Sequence, residues 1–188
     1  ETFSDRLIKS PSINKIGVTV ADCRNVLDAM LEIGLVPQIN IILGPPESTV
    51  EDLIETIEVT AEYIEKGADI ALVTRVEVYP GSPLSMNPKY PCHSRTWTNP
   101  HTGESMEIAD NFKSWDPEID RICEHFNEAR DAELDIIKNR YGWRNQTIHK
   151  RIVAFGSIIA ILKMLDRPDM VEDISGVMER MIERGNTK

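Results

Sequence analysis

The sequence is poor in thiols, and the few it has are scattered. Cys23, Cys92 and Cys123 are the three cysteines of a 188-residue chain. An odd number, far apart, makes neither a disulfide framework nor a paired zinc spacing. Reduced cysteines of an intracellular, cytoplasmic protein are therefore the expectation. Basic runs are missing as well, and the formal net charge is −10. That argues against a protein that coats duplex nucleic acid, which needs Lys and Arg to displace counterions from phosphate. It also argues against docking on an anionic membrane surface. The longest apolar run, Ile152 to Leu162, is too short to span a bilayer. Flanked by Lys150, Arg151 and Lys163, it reads as a buried helix. The sequence carries no signal peptide at its start, no internal repeat and no low-complexity segment. It opens on Glu1, mid-pattern and without Met, and a piece of a longer protein is the expectation.

What is present is an alternation of helix and strand. Phe3 to Lys9 reads as a short helical turn with Ser4 as N-cap. Thr19 or Val20 opens a helix whose apolar positions are Val20, Cys23, Val26, Leu27, Met30 and Leu31, with Gly34 at its end. Ile39, Ile41, Ile42 and Leu43 follow as a β-branched run expected to be buried on both faces of a parallel sheet. Ser48 or Thr49 caps the next helix, and Ser48 with Glu51 fits a capping box. Leu53, Ile54, Ile57, Ala61 and Ile64 form its stripe, and Gly67 ends it. Ile70 to Val78 reads as a second strand, closed by the turn "YPGSPL".

Helix, strand, helix, strand implies crossovers and a parallel sheet. Ligands bind at the carboxyl ends of the strands in such sheets, which is where "GPPEST" and "YPGSPL" lie. From Tyr90 to Asn111 the sequence predicts a long loop rich in Pro, His and Thr. Beyond Pro117 it predicts three helices. The first is lined by Ile119, Ile122, Cys123, Phe126, Ala129, Leu134 and Ile137. The second runs from Thr147 to Leu165. The third runs from Pro168 to Gly185, with Val171, Ile174, Val177, Met178, Met181 and Ile182 inward.

The corner after Leu43 carries the most chemistry. Gly44 has no Cβ to hold a ligand off the backbone. The helix after it presents free N–H groups and the positive end of its dipole. Asn40 and Ile42 are expected on one side of the strand, Ile41 and Leu43 on the other.

"NIILGPPESTVEDLIETI" resembles the fifth strand and following helix of radical S-adenosylmethionine enzymes. These carry Gly-x-Ile-x-Gly-x-x-Glu or the related Gly-x-Pro-Gly-Glu-Thr. Ile42, Gly44 and Glu47 match the first form, with Asn40 in place of its leading Gly. Gly44, Pro46, Thr49, Glu51, Asp52 and Leu53 match the second, in which Glu47 stands where Gly is expected. The two alignments give Glu47 different roles. Glu1, Thr2, Leu7, Asn14, Lys15, Thr19 and Gly34 resemble the segment after the family's fourth strand. "VEVYPGSPL" is similar to its sixth strand and Pro-Gly-Thr-Pro-Leu turn, with Ser82 for Thr. The resemblance covers about the first half of the chain.

The resemblance implies an α/β fold: the C-terminal portion of a partial (β/α)6 TIM-like barrel over residues 1–90, a long loop over 91–116 and an α-helical extension over 117–188. It implies reductive cleavage of S-adenosylmethionine at a [4Fe-4S] cluster, giving a 5′-deoxyadenosyl radical that acts on a small-molecule substrate. An electron donor such as flavodoxin or ferredoxin is expected. The style of the sixth-strand ending resembles the branch with a cobalamin-binding domain, similar to magnesium-protoporphyrin ester cyclases, which adds cobalamin to the candidate cofactors. The implied cofactor-binding positions are Glu1, Asn40, Ile42, Gly44, Glu47 and Glu77. The family's Cys-x-x-x-Cys-x-x-Cys is not in this sequence, nor is a cobalamin-type Asp-x-His-x-x-Gly. Cluster ligands are thus expected outside these residues, and the 188 residues alone are expected to be inactive.

Other candidates weigh less. Cys92, His93 and His101 have no second ligand pair. Arg95 and Trp97 either reach a substrate or pin the loop. Glu77 either faces a ligand or lies on the surface. Glu124, Glu128, Asp131 and Asp135 read as a solvated face, and Met170, Met178 and Met181 as core filling. An α/β anion- or metabolite-binding module, or an assembly subunit, is the alternative function.

Overall fold

A computed structural model describes residues 1–141 and 146–186. In it a two-stranded parallel sheet, β1 (Gln38–Gly44) and β2 (Asp69–Arg75), is joined through helix α3 (Val50–Lys66). Before it lie α1 (Asp5–Ile8) and α2 (Val20–Glu32). After it come an antiparallel pair, β3 (Cys92–Thr98) and β4 (Ser105–Phe112), and helices α4 (Pro117–Tyr141), α5 (Gln146–Met164) and α6 (Pro168–Asn186). The fold is mixed α/β, with parallel strands where the helix–strand alternation predicts them. Among the described residues no helix is long and apolar enough to cross a membrane.

The local signals explain most boundaries. Ser4 caps α1, accepting from the Leu7 amide. Thr19 and Asp22 form a reciprocal capping box at the start of α2, satisfying two donors that no helical carbonyl can reach. Gly67 ends α3 in the left-handed region at φ +116°, a conformation that costs glycine nothing.

The capping box of α3 is set one residue later than the sequence suggests. Thr49 and Asp52 form it, not Ser48 and Glu51. Ser48 is instead buried, and Asp52 is drawn to this register because it has further partners in the interior. Strand β2 stops at Arg75 rather than Val78, and residues 76–78 turn to pair with the end of β4. Gly185 does not close α6, which continues to Asn186.

The core lies on one side of the parallel sheet. Ile39, Ile41 and Leu43 face Leu53, Ile57, Ala61 and Ile64 of α3, Ile119, Ile122 and Phe126 of α4, and Phe155, Ile158, Ile159 and Leu162 of α5. The C-terminal helices thus share one core with the strands. The expectation of a strand buried on both faces is corrected here. Asn40 is exposed, Ile42 is half-buried, and Val73, the cross-strand neighbour of Ile42, is 47% exposed. The helices have one apolar face to cover, and they cover the odd-numbered side of β1.

The expected 91–116 loop is also corrected. Its residues build β3 and β4, paired from Cys92↔Phe112 to Thr98↔Ser105. Residues 99–104 make the turn, with Gly103 at φ +73°. Arg95, Trp97, Met106 and Ile108 pair on one face, and Ser94, Thr96, Thr98, Ser105 and Glu107 on the other. This period of two was hidden by Pro91, Asn99 and Pro100, which lie just outside the two ends of β3 and not within it.

The N-terminal segment is fastened to a polar stripe of α3. Asp52, Thr56 and Thr60, spaced four apart on one helix face, are all buried. Thr2 Oγ1 lies 2.9 Å from Thr56 Oγ1, and the Phe3 amide donates to the same hydroxyl at 3.1 Å. Ser4 Oγ donates to Asp52 Oδ1 at 2.5 Å, and Arg6 pairs with the same carboxylate. Phe3 stacks on the fully buried Tyr63, ring centroids 6.1 Å apart. Burial alone would raise the Asp52 carboxyl, but hydrogen bonds from Arg6, Ser4 and Thr49 outweigh it and hold it below its ordinary value.

Because the folded-state value lies below the unfolded one of about 3.9, the unfolded chain takes up the proton first as pH falls. The Asp52 contribution is complete above about pH 4 and is lost as pH falls through the folded-state value. Asp52→Ala is expected to cost about 2–4 kcal/mol, from a lost cap and stranded buried donors. Urea unfolding of wild type and Asp52→Asn across pH 2 to 6 checks this. Parallel acid profiles for the two proteins would rule the assignment out.

Candidate functional site

The six candidate positions do not form one constellation. Glu1 and Ile42 are adjacent: the Ile42 amide donates to the Glu1 carbonyl at 2.8 Å. Glu1 and Asn40 line the same open slot of about 550 Å³ beside β1, with Val18, Cys23, Val26 and Leu27 of the α2 region opposite. The Glu1 side chain lies 3.4 Å from Lys15 Nζ. Asn40 and Ile42 share the uncovered face of the sheet with Ala71 and Val73.

Gly44 is buried, and its missing Cβ serves the interior. A Cβ built there would stand 2.5 Å from Cys123 Sγ, 2.9 Å from Ser114 Oγ and 3.1 Å from the Thr74 carbonyl. Ser114 Oγ donates to the Gly44 carbonyl at 3.3 Å, and Cys123 Sγ donates to the Thr74 carbonyl at 3.1 Å. The close approach expected of a ligand is here made by α4 and the segment leading into it. Burial pushes the Cys123 thiol up to about 12, so it packs as a small apolar group.

Glu47 is 8% exposed and sits in a separate polar cluster. Tyr90 Oη donates to Glu47 Oε1 at 2.7 Å, and Ser12 Oγ donates to Oε2. The Glu47 carbonyl accepts from Arg6 Nη2 at 2.7 Å. Burial, and then the Glu47 carboxylate, push the Tyr90 phenol up to about 12. The cluster lines a second cleft of about 610 Å³ with Lys9, Ser48 and Trp115. Tyr90 and Trp115, ring centroids 5.2 Å apart, form its aromatic wall. Sequence reasoning missed these partners, although the two aromatic residues bracket the predicted loop.

Glu77 is exposed and accepts from Tyr79 Oη at 3.2 Å. Its backbone bridges to Asn111. His93 does not meet His101 or Cys92 in a ligand set. It lies 3.1 Å from Asp120 Oδ1, which also accepts from Arg75 Nη2 at 3.3 Å and the Ser114 amide at 3.3 Å. Burial would raise the Asp120 carboxyl, but His93, the Ser114 amide and Arg75 hold it below its ordinary value. This group ties β2, the hairpin and α4 together. Glu124, Glu128, Asp131 and Asp135 are exposed along α4. Among the described residues no three His, Cys, Asp or Glu side chains converge as a metal site.

Gly44→Ala is expected to destabilise the chain by about 1–3 kcal/mol through overpacking. Cys123→Ala in the same chain should recover part of that loss, because it removes the nearest obstructing atom. A double-mutant cycle by chemical denaturation measures the coupling. Strict additivity of the two substitutions would show that Gly44 has another role.

Compared with models of protein families, with curated proteins and with solved structures, the chain matches none.

Proposed function

We propose that this chain is the C-terminal part of a radical S-adenosylmethionine enzyme, and that the open face of β1 and β2 receives the adenosyl end of that molecule. The supporting observation is a parallel β–α–β unit whose first strand turns Asn40 and Ile42 to a face that the chain's own helices leave uncovered. Ile42 and Val73 offer apolar surface to a planar base. The Asn40 amide offers both a donor and an acceptor to its polar edge. Those side chains suit an adenosyl group. Gly44 supports them indirectly, by letting α4 close against the end of β1.

The described residues do not suit a [4Fe-4S] cluster. Cys123 is buried and donates to a backbone carbonyl, and Cys23 and Cys92 are not gathered with it. In this reading the cluster ligands belong to polypeptide outside these 188 residues. A cluster held there would supply reducing power for cleavage of the bound S-adenosylmethionine. The residues of this chain bind, orient and shield the adenosyl group. An electron donor such as flavodoxin or ferredoxin, cobalamin as a further cofactor and a cytoplasmic location belong to the same proposal.

The cleft at Glu47, Tyr90 and Trp115 favours a second reading, a metabolite-binding module without redox chemistry. Lys9 and the buried Ser48 would meet the polar end of such a ligand, and the aromatic wall its apolar body.

Calorimetric titration of the full-length polypeptide with S-adenosylmethionine under anaerobic conditions separates the two. Ile42→Asp is expected to weaken binding tenfold or more, equivalent to about 1.4 kcal/mol, while Trp115→Ala leaves it unchanged. Weakening by Trp115→Ala alone would carry the second reading. A full-length polypeptide without the cysteine triplet would overturn the first.

A further inference from the structure

Glu47 keeps a carboxylate in the interior with only neutral groups on it. Its side-chain oxygens accept from Tyr90 Oη at 2.7 Å and from Ser12 Oγ. A carboxylate has about four acceptor sites, so two hydroxyls fill only part of it. Buried charges are ordinarily paired. Arg6 donates to the Glu47 backbone carbonyl and meets the charge of Asp52 instead. Among the described residues no ion pair is made to the Glu47 carboxylate.

The cleft that Glu47 lines has the volume of a small-molecule site, about 610 Å³. Its aromatic wall is held in place. Tyr90 is buried and meets Phe112 edge to face, ring centroids 6.2 Å apart. Trp115 Nε1 donates to the Lys89 carbonyl at 3.1 Å, and the Trp115 amide donates to the Pro46 carbonyl at 2.8 Å. The Trp115 ring is thus fixed although the residue is 50% exposed. Aromatic faces attract cations through the ring quadrupole. The wall and the carboxylate therefore favour the same sign of charge.

The other charged groups of the cleft do not reverse that sign. Lys9 and Asp116 both line it and offset one another. Arg6 is met by Asp52. At the start of α3 the Thr49 amide donates to Asp52 Oδ2 and the Asp52 amide to Thr49 Oγ1, so neither amide is left for an anion. Glu47 is the charge that remains.

We propose that this cleft takes a small organic cation, an ammonium group on an apolar body. The ammonium meets the Glu47 carboxylate, and the body lies against Tyr90 and Trp115. A primary ammonium suits the site, because its three N–H groups can reach the acceptor positions that Tyr90 and Ser12 leave open. The proposal rests on the reading of this cleft as a metabolite site and adds the sign of the ligand's charge. It is independent of what the face of β1 and β2 receives.

Phenethylamine, phenethyl alcohol and 3-phenylpropionate share one body and differ in charge. Ligand-observed NMR titration of each with the full-length polypeptide gives three affinities. Phenethylamine is expected to bind at least roughly tenfold more tightly than the alcohol, from a charge-assisted hydrogen bond and a cation–π contact. Trp115→Ala is expected to weaken all three. Glu47→Gln keeps the size of the side chain and removes its charge, and it is expected to erase the difference between amine and alcohol. A melting curve on the same sample reports whether that variant is folded, and if it is not, the wild-type ratio decides. Excess S-adenosylmethionine is expected to leave the amine bound.

Equal binding of amine and alcohol by the wild type, or tighter binding of 3-phenylpropionate, overturns the proposal and leaves the cleft a metabolite site of another kind. A preference for the amine that survives in folded Glu47→Gln overturns it too, as does displacement of the amine by S-adenosylmethionine. Binding of none of the three probes overturns both the proposal and the reading on which it rests.

Discussion

One buried carboxylate, Asp52, sets where the first third of the chain lies. It closes the capping box of α3 with Thr49 and holds Ser4 and Arg6 at the same time. A charge this deep is tolerated only when paired and hydrogen-bonded, and removing one partner leaves the others stranded. Arg6 then reaches past Asp52 to the Glu47 carbonyl, which fixes the corner between β1 and α3. Ser4 and Thr2, held on the same helix face, bring Glu1 alongside Ile42. The slot beside β1 and the cleft at Glu47 therefore both depend on a single side chain at the start of a helix.

The consequence for function is a division of labour between two sheet faces. The helices α3, α4 and α5 all compete for Ile39, Ile41 and Leu43, because burying those side chains yields the largest gain in area removed from water. That leaves Asn40 and Ile42 on the side without helices. An amide and a branched aliphatic side chain on an uncovered face are more informative than any buried residue, since the packing of the core does not require them there.

Much of this was legible in the sequence. The apolar stripes of α3, α4 and α6, the Thr19 and Gly67 boundaries and the parallel pairing of β1 with β2 follow from periodicity and turn chemistry alone. The register of the α3 cap was not legible. Ser48 with Glu51 and Thr49 with Asp52 satisfy the same local rule, and only the tertiary partners Ser4 and Arg6 choose between them. The hairpin was obscured by proline and histidine, residues that suggest a loop, although Trp97 with Met106 and Arg95 with Ile108 alternate as strand residues do. The sequence marks Gly44 as a place where a ligand could come close to the backbone. The approaching atoms, Cys123 Sγ and Ser114 Oγ, lie far along the chain, and no local pattern announces them. Glu47, Tyr90 and Ser12 likewise meet only through folding.

Cys123 shows what that distant contact entails. Its sulfur is locked between the end of β1 and the Thr74 carbonyl, with its thiol proton held by burial. Thiolate, not thiol, reacts with electrophiles. Cys123 is therefore silent to an alkylating reagent for as long as α4 stays on the sheet, whereas Cys23 and Cys92 are only half-buried. The rate at which the third thiol becomes labelled is a clock for the parting of helix and strand, written into the molecule without any added probe.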